Sequence, residues 1–365
     1  MNWSFRLGSV LGIPIRVHFT FLILLAVLSF SEASRSGARA GLGSLLFMVL
    51  LFSCVLLHEL GHCVVARRFG VTISAITLYP FGGIAVLNEI PREPSREIQI
   101  AIAGPIVNFL IAAGLYLGID ILRPAPPLQL SSLDGADLLA SLFAANLSLG
   151  LFNLIPAYPL DGGRILRGIL ATRMPYLNAT HWAARVGMGI GLLFVLGGIR
   201  YPDLFESRWL PVLVGVFLFI MANSEEQATL LHGAMEGLSV KDLMITDYLS
   251  ASPAETLSGV LSRSFHSFQE DFPVLRDGNF LGVLTRGRLI EALREEARDQ
   301  FVQGVTQPVR GWVTPTDPLR EALKRMNAER VSLLPVMEDG RMVGIVTLTG
   351  ILRGASVLAG RPHVR

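Results

Sequence analysis

Long apolar runs interrupted by short polar clusters fill the first 220 or so residues of this 365-residue chain. A helix needs about 20 apolar residues to cross a bilayer. Six segments read as spans on that pattern: 15–30, 41–67, 98–122, 138–155, 186–199 and 209–221, with the first, fifth and sixth short and extending into their flanks. Between the second and third lies VTISAITLYPFGGIAVLNEI, residues 71–90, rich in β-branched side chains and broken by Pro-Phe-Gly-Gly. It predicts a short hairpin or strand pair. Such a segment at membrane depth must be buried in protein or face a water-filled cavity. Pro156 and Pro159 break the fourth run, and a helix is expected to resume after Asp161. The first run is not followed by a small-residue cleavage site, so it reads as a retained span.

The pattern changes near residue 223. Residues 224–238 read as a linker, and the remainder is soluble in character and repeats itself. DFPVLRDGNFLGVLTRGRLI (271–290) matches LLPVMEDGRMVGIVTLTGIL (333–352) at an offset of 62 residues, with Pro273 on Pro335, Asp277 on Asp339, Gly278 on Gly340, Gly282 on Gly344 and Thr285 on Thr347. Each copy predicts strand, Asp-Gly turn, strand, helix. Copies this small should pack on each other to bury a core. The expected fold is a multi-pass α-helical membrane bundle of about six spans, with a short β segment after span two, followed by a soluble α/β repeat pair. The expected division is a membrane domain at 1–223, the linker, repeats at 239–297 and 304–357, and a tail at 358–365.

Composition sharpens this picture. Apolar residues make up 51% and charged ones 16%, and the mean hydropathy is +0.52; soluble domains carry about 25% charged residues. A net charge of +2 is too small to argue for a nucleic-acid partner. The two cysteines, Cys54 and Cys63, lie too far apart along one helix to bridge. Six spans put both termini on one side, with Arg6, Arg16, Arg67, Arg68, Arg92, Arg96, Arg164, Arg167, Arg173 and Arg185. The other side has Arg35, Arg39, Arg123, Arg200 and Arg208. The imbalance favours a cell-membrane protein with cytoplasmic termini.

Three ionisable groups interrupt the second span: His58, Glu59 and His62, within HELGH. A carboxylate at a span's centre costs about 2.5–3.5 kcal/mol, so such groups need a compensating partner. His58 and His62, four apart, share one helix face and can converge on one metal ion, while Glu59 on the adjacent face is placed to reach a water. H-E-x-x-H is the zincin pattern of two ligands and a general base. A hydrolytic zinc site needs a third protein ligand. Asp161 is the only acid in ANLSLGLFNLIPAYPLDGGRILRGIL (145–170), between a Pro break and Gly162–Gly163. It is either that ligand or a helix N-cap.

HELGH in one span and NLIPAYPLDGG about 90 residues later resemble the site-2 protease family of intramembrane metalloproteases, over residues 12–221. The resemblance implies one zinc ion per chain held by His58, His62 and Asp161, with Glu59 as catalytic base. It also implies cleavage of peptide bonds in single-span or membrane-anchored substrates. AGPIVN, 103–108, resembles a motif of the same family, and YPFGGIAVL, 79–87, the strand thought to meet substrate, which makes Gly82 and Gly83 substrate-contact candidates. Asn153 and Asn108 are each either donors to the oxyanion or substrate, or packing groups between helices. Cys54 is either near the metal or a core thiol, and His18 either a gating group or an interfacial histidine. Arg164 either neutralises Asp161 or faces headgroups.

The repeat pair resembles tandem CBS domains, which commonly bind adenine nucleotides and regulate an attached domain. The family's ribose-binding acid, three residues after Thr285 or Thr347, is replaced by Arg288 and Gly350. That argues against ordinary adenosine binding, and a ligand-free homodimerisation or docking module is an equal reading. The rival classes are a CBS-regulated membrane transporter and a catalytically inactive substrate-binding scaffold. The transporter leaves the i, i+4 histidines unexplained.

Overall fold

The chain begins with alternation rather than a span. Ile13, Ile15 and Val17 are buried while Arg16 between them is exposed, the period of a half-buried strand. In the computed structural model, which describes residues 3–87, 92–122, 135–201, 209–264, 269–294 and 300–359, these residues form β2 (Ile13–His18), paired antiparallel with β1 (Ser4–Val10). Leu11 and Gly12 turn the hairpin with φ of 53° and 78°. The span expected at 15–30 is therefore displaced: helix α1 is Phe19–Ser36, and the apolar end of a strand had merged with it. His18 caps α1, its Nδ1 2.7 Å from Thr20 Oγ1, and stacks on Tyr79 at 5.0 Å. That is a local structural role in addition to the readings offered for this residue.

Helix α2 (Ala38–Arg68) has 31 residues, a length of about 46 Å at 1.5 Å per residue. It leads into β3 (Ile73–Tyr79) and β4 (Gly82–Leu87), the strand pair expected from 71–90, of which 88–91 lie outside the described residues. β2 runs parallel to β3, giving one four-stranded sheet in the order β1-β2-β3-β4. Ile13, Ile15 and Ile76 of the sheet pack on Leu60 and Cys63 of α2. The sheet is thus clamped against the turn of helix that carries the histidines.

Helices α3 (Pro94–Leu122), α4 (Gly135–Asn153), α5 (Asp161–Ala171), α6 (Tyr176–Arg200) and α7 (Trp209–Ala234) complete the first unit, Met1–Gln227. Among the described residues five helices are long and apolar enough to cross a membrane: Phe19–Ser36, Ala38–Arg68, Pro94–Ile119, Tyr176–Arg200 and Trp209–Ala234. Leu138–Asn153, within α4, is a shorter apolar helix, and the chain resumes as α5 after Pro156 and Pro159. The multi-pass bundle is as expected. Hydropathy falls after residue 222, yet α7 continues to Ala234. The sequence EEQATLL is polar but made largely of good helix formers, and a backbone helix does not end where lipid solubility does.

The second unit, Ala228–Arg365, contains α8 (Val240–Leu243), α9 (Leu257–Ser264), β5 (Asp271–Arg276), β6 (Asn279–Thr285), α10 (Arg286–Arg294), α11 (Val302–Val305), β7 (Gln307–Pro308), α12 (Leu319–Glu329), β8 (Leu333–Glu338), β9 (Arg341–Thr347) and α13 (Leu348–Ala359). The repeat is reproduced in its strand register. Asp271 pairs with Thr285 and Leu333 with Thr347, and both hairpins shift register at the same place. Asp277-Gly278 and Asp339-Gly340 turn them with positive φ at both residues, the geometry an Asp-Gly pair tolerates. Val283 of the first copy is buried in the core of the second, alongside Leu334, Val336 and Ile345. The copies complete each other, as their size requires.

Candidate metal centre

Two histidines four apart on α2 point at the first residue of α5, across 99 residues of sequence from His62. Nε2 of His58 and Nε2 of His62 are 3.1 Å apart, and Asp161 Oδ2 is 3.3 Å from the first and 3.2 Å from the second. All three residues are buried, and they are the one group of three or more such side chains found among the described residues that could hold a metal ion. Zinc–nitrogen bonds of about 2.0–2.1 Å at tetrahedral angles place neighbouring ligand atoms about 3.3 Å apart. The three separations fit that value. Asp161 Oδ2 has no hydrogen-bond partner among the described residues. A single proton joins two such atoms, whereas a tetrahedral ion joins all three and leaves a fourth position free.

The rest of the shell points the same way. His62 Nδ1 lies 2.7 Å from the carbonyl oxygen of Ile100, to which it donates, leaving Nε2 with its lone pair inward. The amide of Asn108 lies 3.0 Å from His58 Nδ1, and Asn108 Oδ1 has no partner among the described residues. With Nε2 given to a metal, Nδ1 carries the proton. Turning the amide by 180° puts Oδ1 on that proton and satisfies both groups. Asn108 is thereby engaged by His58 at full burial.

Close approach explains the small residues. A Cβ on Gly104 of α3 would collide with His62 Nε2 and lie 2.7 Å from His58 Cε1, so AGPIVN supplies the floor beneath the imidazoles. Gly61 admits Ala103 and Val107 of α3 at the same level. Gly162 and Gly163 seat the start of α5 on the backbone of residues 154–158, where a Cβ on Gly163 would lie 2.8 Å from Tyr158 N. Asp161 is the first helical residue, the N-cap position being Leu160 with no side-chain cap. The capping alternative for the aspartate is therefore not realised. Its carboxylate is turned on the histidines.

Glu59 is half-buried on the neighbouring face of α2 and lies against β4. A Cβ on Gly83 would be 2.5 Å from Glu59 Cγ and 3.3 Å from Oε1. Gly82 has φ 142°, a conformation other residues avoid. The two glycines of YPFGG thus serve different ends, backbone shape and room for the carboxylate. Asn153 is the half-buried last residue of α4, eight before Asp161. Cys54 is half-buried outside the metal group, and Cys63 is fully buried in the core under the sheet. Arg164 is half-buried, within electrostatic reach of Glu59.

A second polar cluster had no counterpart in the sequence reading. Arg167, counted above among the cations on the side of the termini, is buried. Its Nε lies 2.8 Å from Glu97 Oε1 and its Nη2 also pairs with that oxygen, while Nη1 reaches Glu225 Oε1 at 2.8 Å. The rings of Tyr158 and Tyr176 lie 5.3 and 4.9 Å from the guanidinium. Glu97 lies in the first turn of α3 and Glu225 just past the apolar part of α7, where charge is ordinary, so nothing local marked them.

Known proteins resemble this chain over nearly its whole length. Residues 46–129 and 128–194 match the peptidase family M50 model, and residues 240–295 and 305–356 match the CBS domain model. The chain is 35% identical over 360 residues to a zinc metalloprotease of Methanocaldococcus jannaschii, covering 98% of each. It is 31% identical over 372 residues to Rip3 of Mycobacterium tuberculosis, covering 97% of this chain and 93% of that one. Among solved structures, the site-2 protease from Methanocaldococcus jannaschii is 37% identical, covers 61% of this chain and 95% of that one, and has a TM-score of 0.45. The chain belongs to peptidase family M50, the site-2 protease family of membrane zinc metalloproteases, and carries a tandem CBS pair. Its activity is intramembrane proteolysis, and the transporter reading is set aside.

Proposed function

We propose that His58, His62 and Asp161 hold one zinc ion per chain and that Glu59 is the general base and acid of peptide hydrolysis. The observation that carries this is the set of three ligand-atom separations, 3.1, 3.2 and 3.3 Å, around one buried point. Zinc, when bound, supplies Lewis-acid chemistry, acidifying water and polarising a carbonyl. Glu59 takes the proton from the attacking water and delivers it to the leaving amine. Ile100 and Asn108 fix the imidazole tautomers, so that Nε2 of each ring is held ready without reorganisation.

The substrates of this reading are single-span or membrane-anchored proteins in the bilayer. A transmembrane helix already spends its carbonyls on its own hydrogen bonds, so the scissile segment has to be extended before attack. Among the described residues β4 is paired on one side only, with β3, and Glu59 lies against it at Gly83. An unwound segment added to that edge gains main-chain hydrogen bonds and passes the carboxylate. Asn153 is the remaining candidate donor to the oxyanion or the substrate backbone.

Counting α4 as a crossing gives six, which puts both termini on one side, and the arginine imbalance supports a cytoplasmic location for that side and the CBS pair. The CBS unit has a cavity of about 510 Å³ lined by Asp247, Tyr248, Asp271, Thr347 and Gly350 among others. No acid stands three residues after Thr285 or Thr347. That supports homodimerisation or docking as its task over adenosine binding.

The test is cleavage of candidate single-span proteins by the purified enzyme in detergent, beside Glu59→Gln. The variant should keep its zinc and lose at least about 10²-fold in rate. Undiminished cleavage would reject Glu59 as the base, and loss of zinc would move it into the ligand set.

A further inference from the structure

One stripe of α3 serves the metal centre along its length. Asn108 supports His58, Gly104 underlies both rings, and the Ile100 carbonyl receives the proton of His62. The spacings of four and four residues continue, by three more, to Glu97 on the same helix face. Glu97 is 1% exposed and binds Arg167, which is 2% exposed. Arg167 belongs to α5, six residues after Asp161. The stripe that orients the two α2 ligands therefore ends on the helix that carries the third.

We propose that Arg167 is a positioning residue of the zinc centre, fixing the tilt and register of α5 on α3 so that Asp161 Oδ2 meets the two imidazoles. The proposal rests on the ligand assignment above. α5 has only 11 residues and lies close on α3, a Cβ on Gly168 being 2.6 Å from Ile98 Cγ1. That contact sets the distance between the helices without fixing rotation or slide. The guanidinium does, because its planar fork has fixed donor directions. It binds Glu97 on α3 through two nitrogens and Glu225 on α7 through the third, between the faces of Tyr158 and Tyr176. Tyr158 is itself in the loop that delivers Asp161. Six residues are a rise of about 9 Å, so a tilt of about 6° at Arg167 moves the aspartate by about 1 Å, enough to spoil tetrahedral coordination. A buried ion pair is a weak source of net stability compared with apolar residues of similar volume. Geometry is the better account of this one.

Zinc affinity separates positioning from stability. Metal-free full-length protein in detergent is titrated with Zn²⁺ against a competing chelator, and with Co²⁺ to read coordination from the visible spectrum. The key variant is Glu97→Gln with Arg167→Met, which removes both buried charges. It should melt within a few degrees of wild type yet bind Zn²⁺ about 10–100-fold more weakly, the loss typical of outer-shell partners, with an altered Co²⁺ spectrum. Arg167→Lys, keeping charge without the fork, should recover only part of the affinity. Zn²⁺ affinity within twofold of wild type in the double variant overturns the proposal. Should that variant fail to fold, Glu225→Gln decides, since this carboxylate is 37% exposed: a threefold or greater loss supports the proposal and unchanged affinity overturns it. His58→Ala is run in parallel. Stoichiometric zinc there refutes the ligand assignment itself, whereas zinc lost there and unchanged in the Arg167 variants refutes positioning alone.

Discussion

Replacing Gly83 by alanine places one methyl group against the carboxylate assigned to proton transfer while touching none of the metal ligands. The added Cβ would lie 2.5 Å from Glu59 Cγ, 3.2 Å from Cδ and 3.3 Å from Oε1. Carbon atoms pack at about 3.5–4.0 Å, so the side chain must retreat by about 1 Å or more. Gly83 pairs with Leu78, one pair from the turn of the hairpin, and its backbone is acceptable to alanine, so the strand is not strained by the change itself. A misplacement of about 1 Å in a catalytic group costs about 10²-fold, or about 2.7 kcal/mol of transition-state stabilisation. The assay is the cleavage rate under saturating substrate in detergent, with zinc content and melting temperature of the same preparation. The expected result is a rate about two orders of magnitude below wild type, with stoichiometric zinc and an unchanged melting temperature. A rate within threefold of wild type, with zinc intact, would refute the placement of Glu59 against β4 or its role as base. Gly104→Ala makes the opposite case, since its methyl group strikes both imidazoles, and zinc itself should be lost.

Two further outcomes follow from particular contacts. Asn108→Leu strips His58 Nδ1–H of its acceptor and should weaken Zn²⁺ binding about 10–100-fold, while Asn108→Asp keeps it; equal affinities in a chelator competition would show the amide to be packing only. In the CBS unit, Asp242 accepts hydrogen bonds from Ser239 N at 2.7 Å and Ser239 Oγ at 2.8 Å. The Ser239 backbone N–H, then its hydroxyl, hold this carboxyl below its ordinary 3.8. A carboxylate depressed in the folded state stabilises it above the unfolded value and loses that contribution as pH falls through the folded one. The Ser239 cap should thus weaken as pH drops below about 4, and Asp242→Asn should show a shallower fall in melting temperature over that window. Identical acid limbs would refute it.

The three residues that arrive from α2 and α5 were legible because their signals are local. His58 and His62 share a face by helical periodicity alone, and an acid between two prolines and two glycines announces an irregular backbone built for a purpose. The Asp-Gly hairpins were legible for the same reason, down to the offset of the two copies. The N-terminal strand was misread through window length. Ile13, Ile15 and Val17 alternate, but the run of apolar residues from Phe19 onward swamps a five-residue alternation in any average wide enough to find a span.

By itself, then, the sequence determined the multi-pass apolar helices, the repeat, and the residue types that can hold a metal, since each depends on spacing along one element or on the cost of charge in oil. Tertiary structure alone decided which polar groups answer each other. His62 finds its acceptor 38 residues away in a backbone carbonyl, which has no letter of its own, and His58 finds Asn108 at a distance of 50. Glu97 and Arg167, 70 residues apart, look like ordinary charges until α3 and α5 are laid together. A hydrogen bond depends on distances of a few ångströms between helices, and no pattern within either helix carries that coordinate.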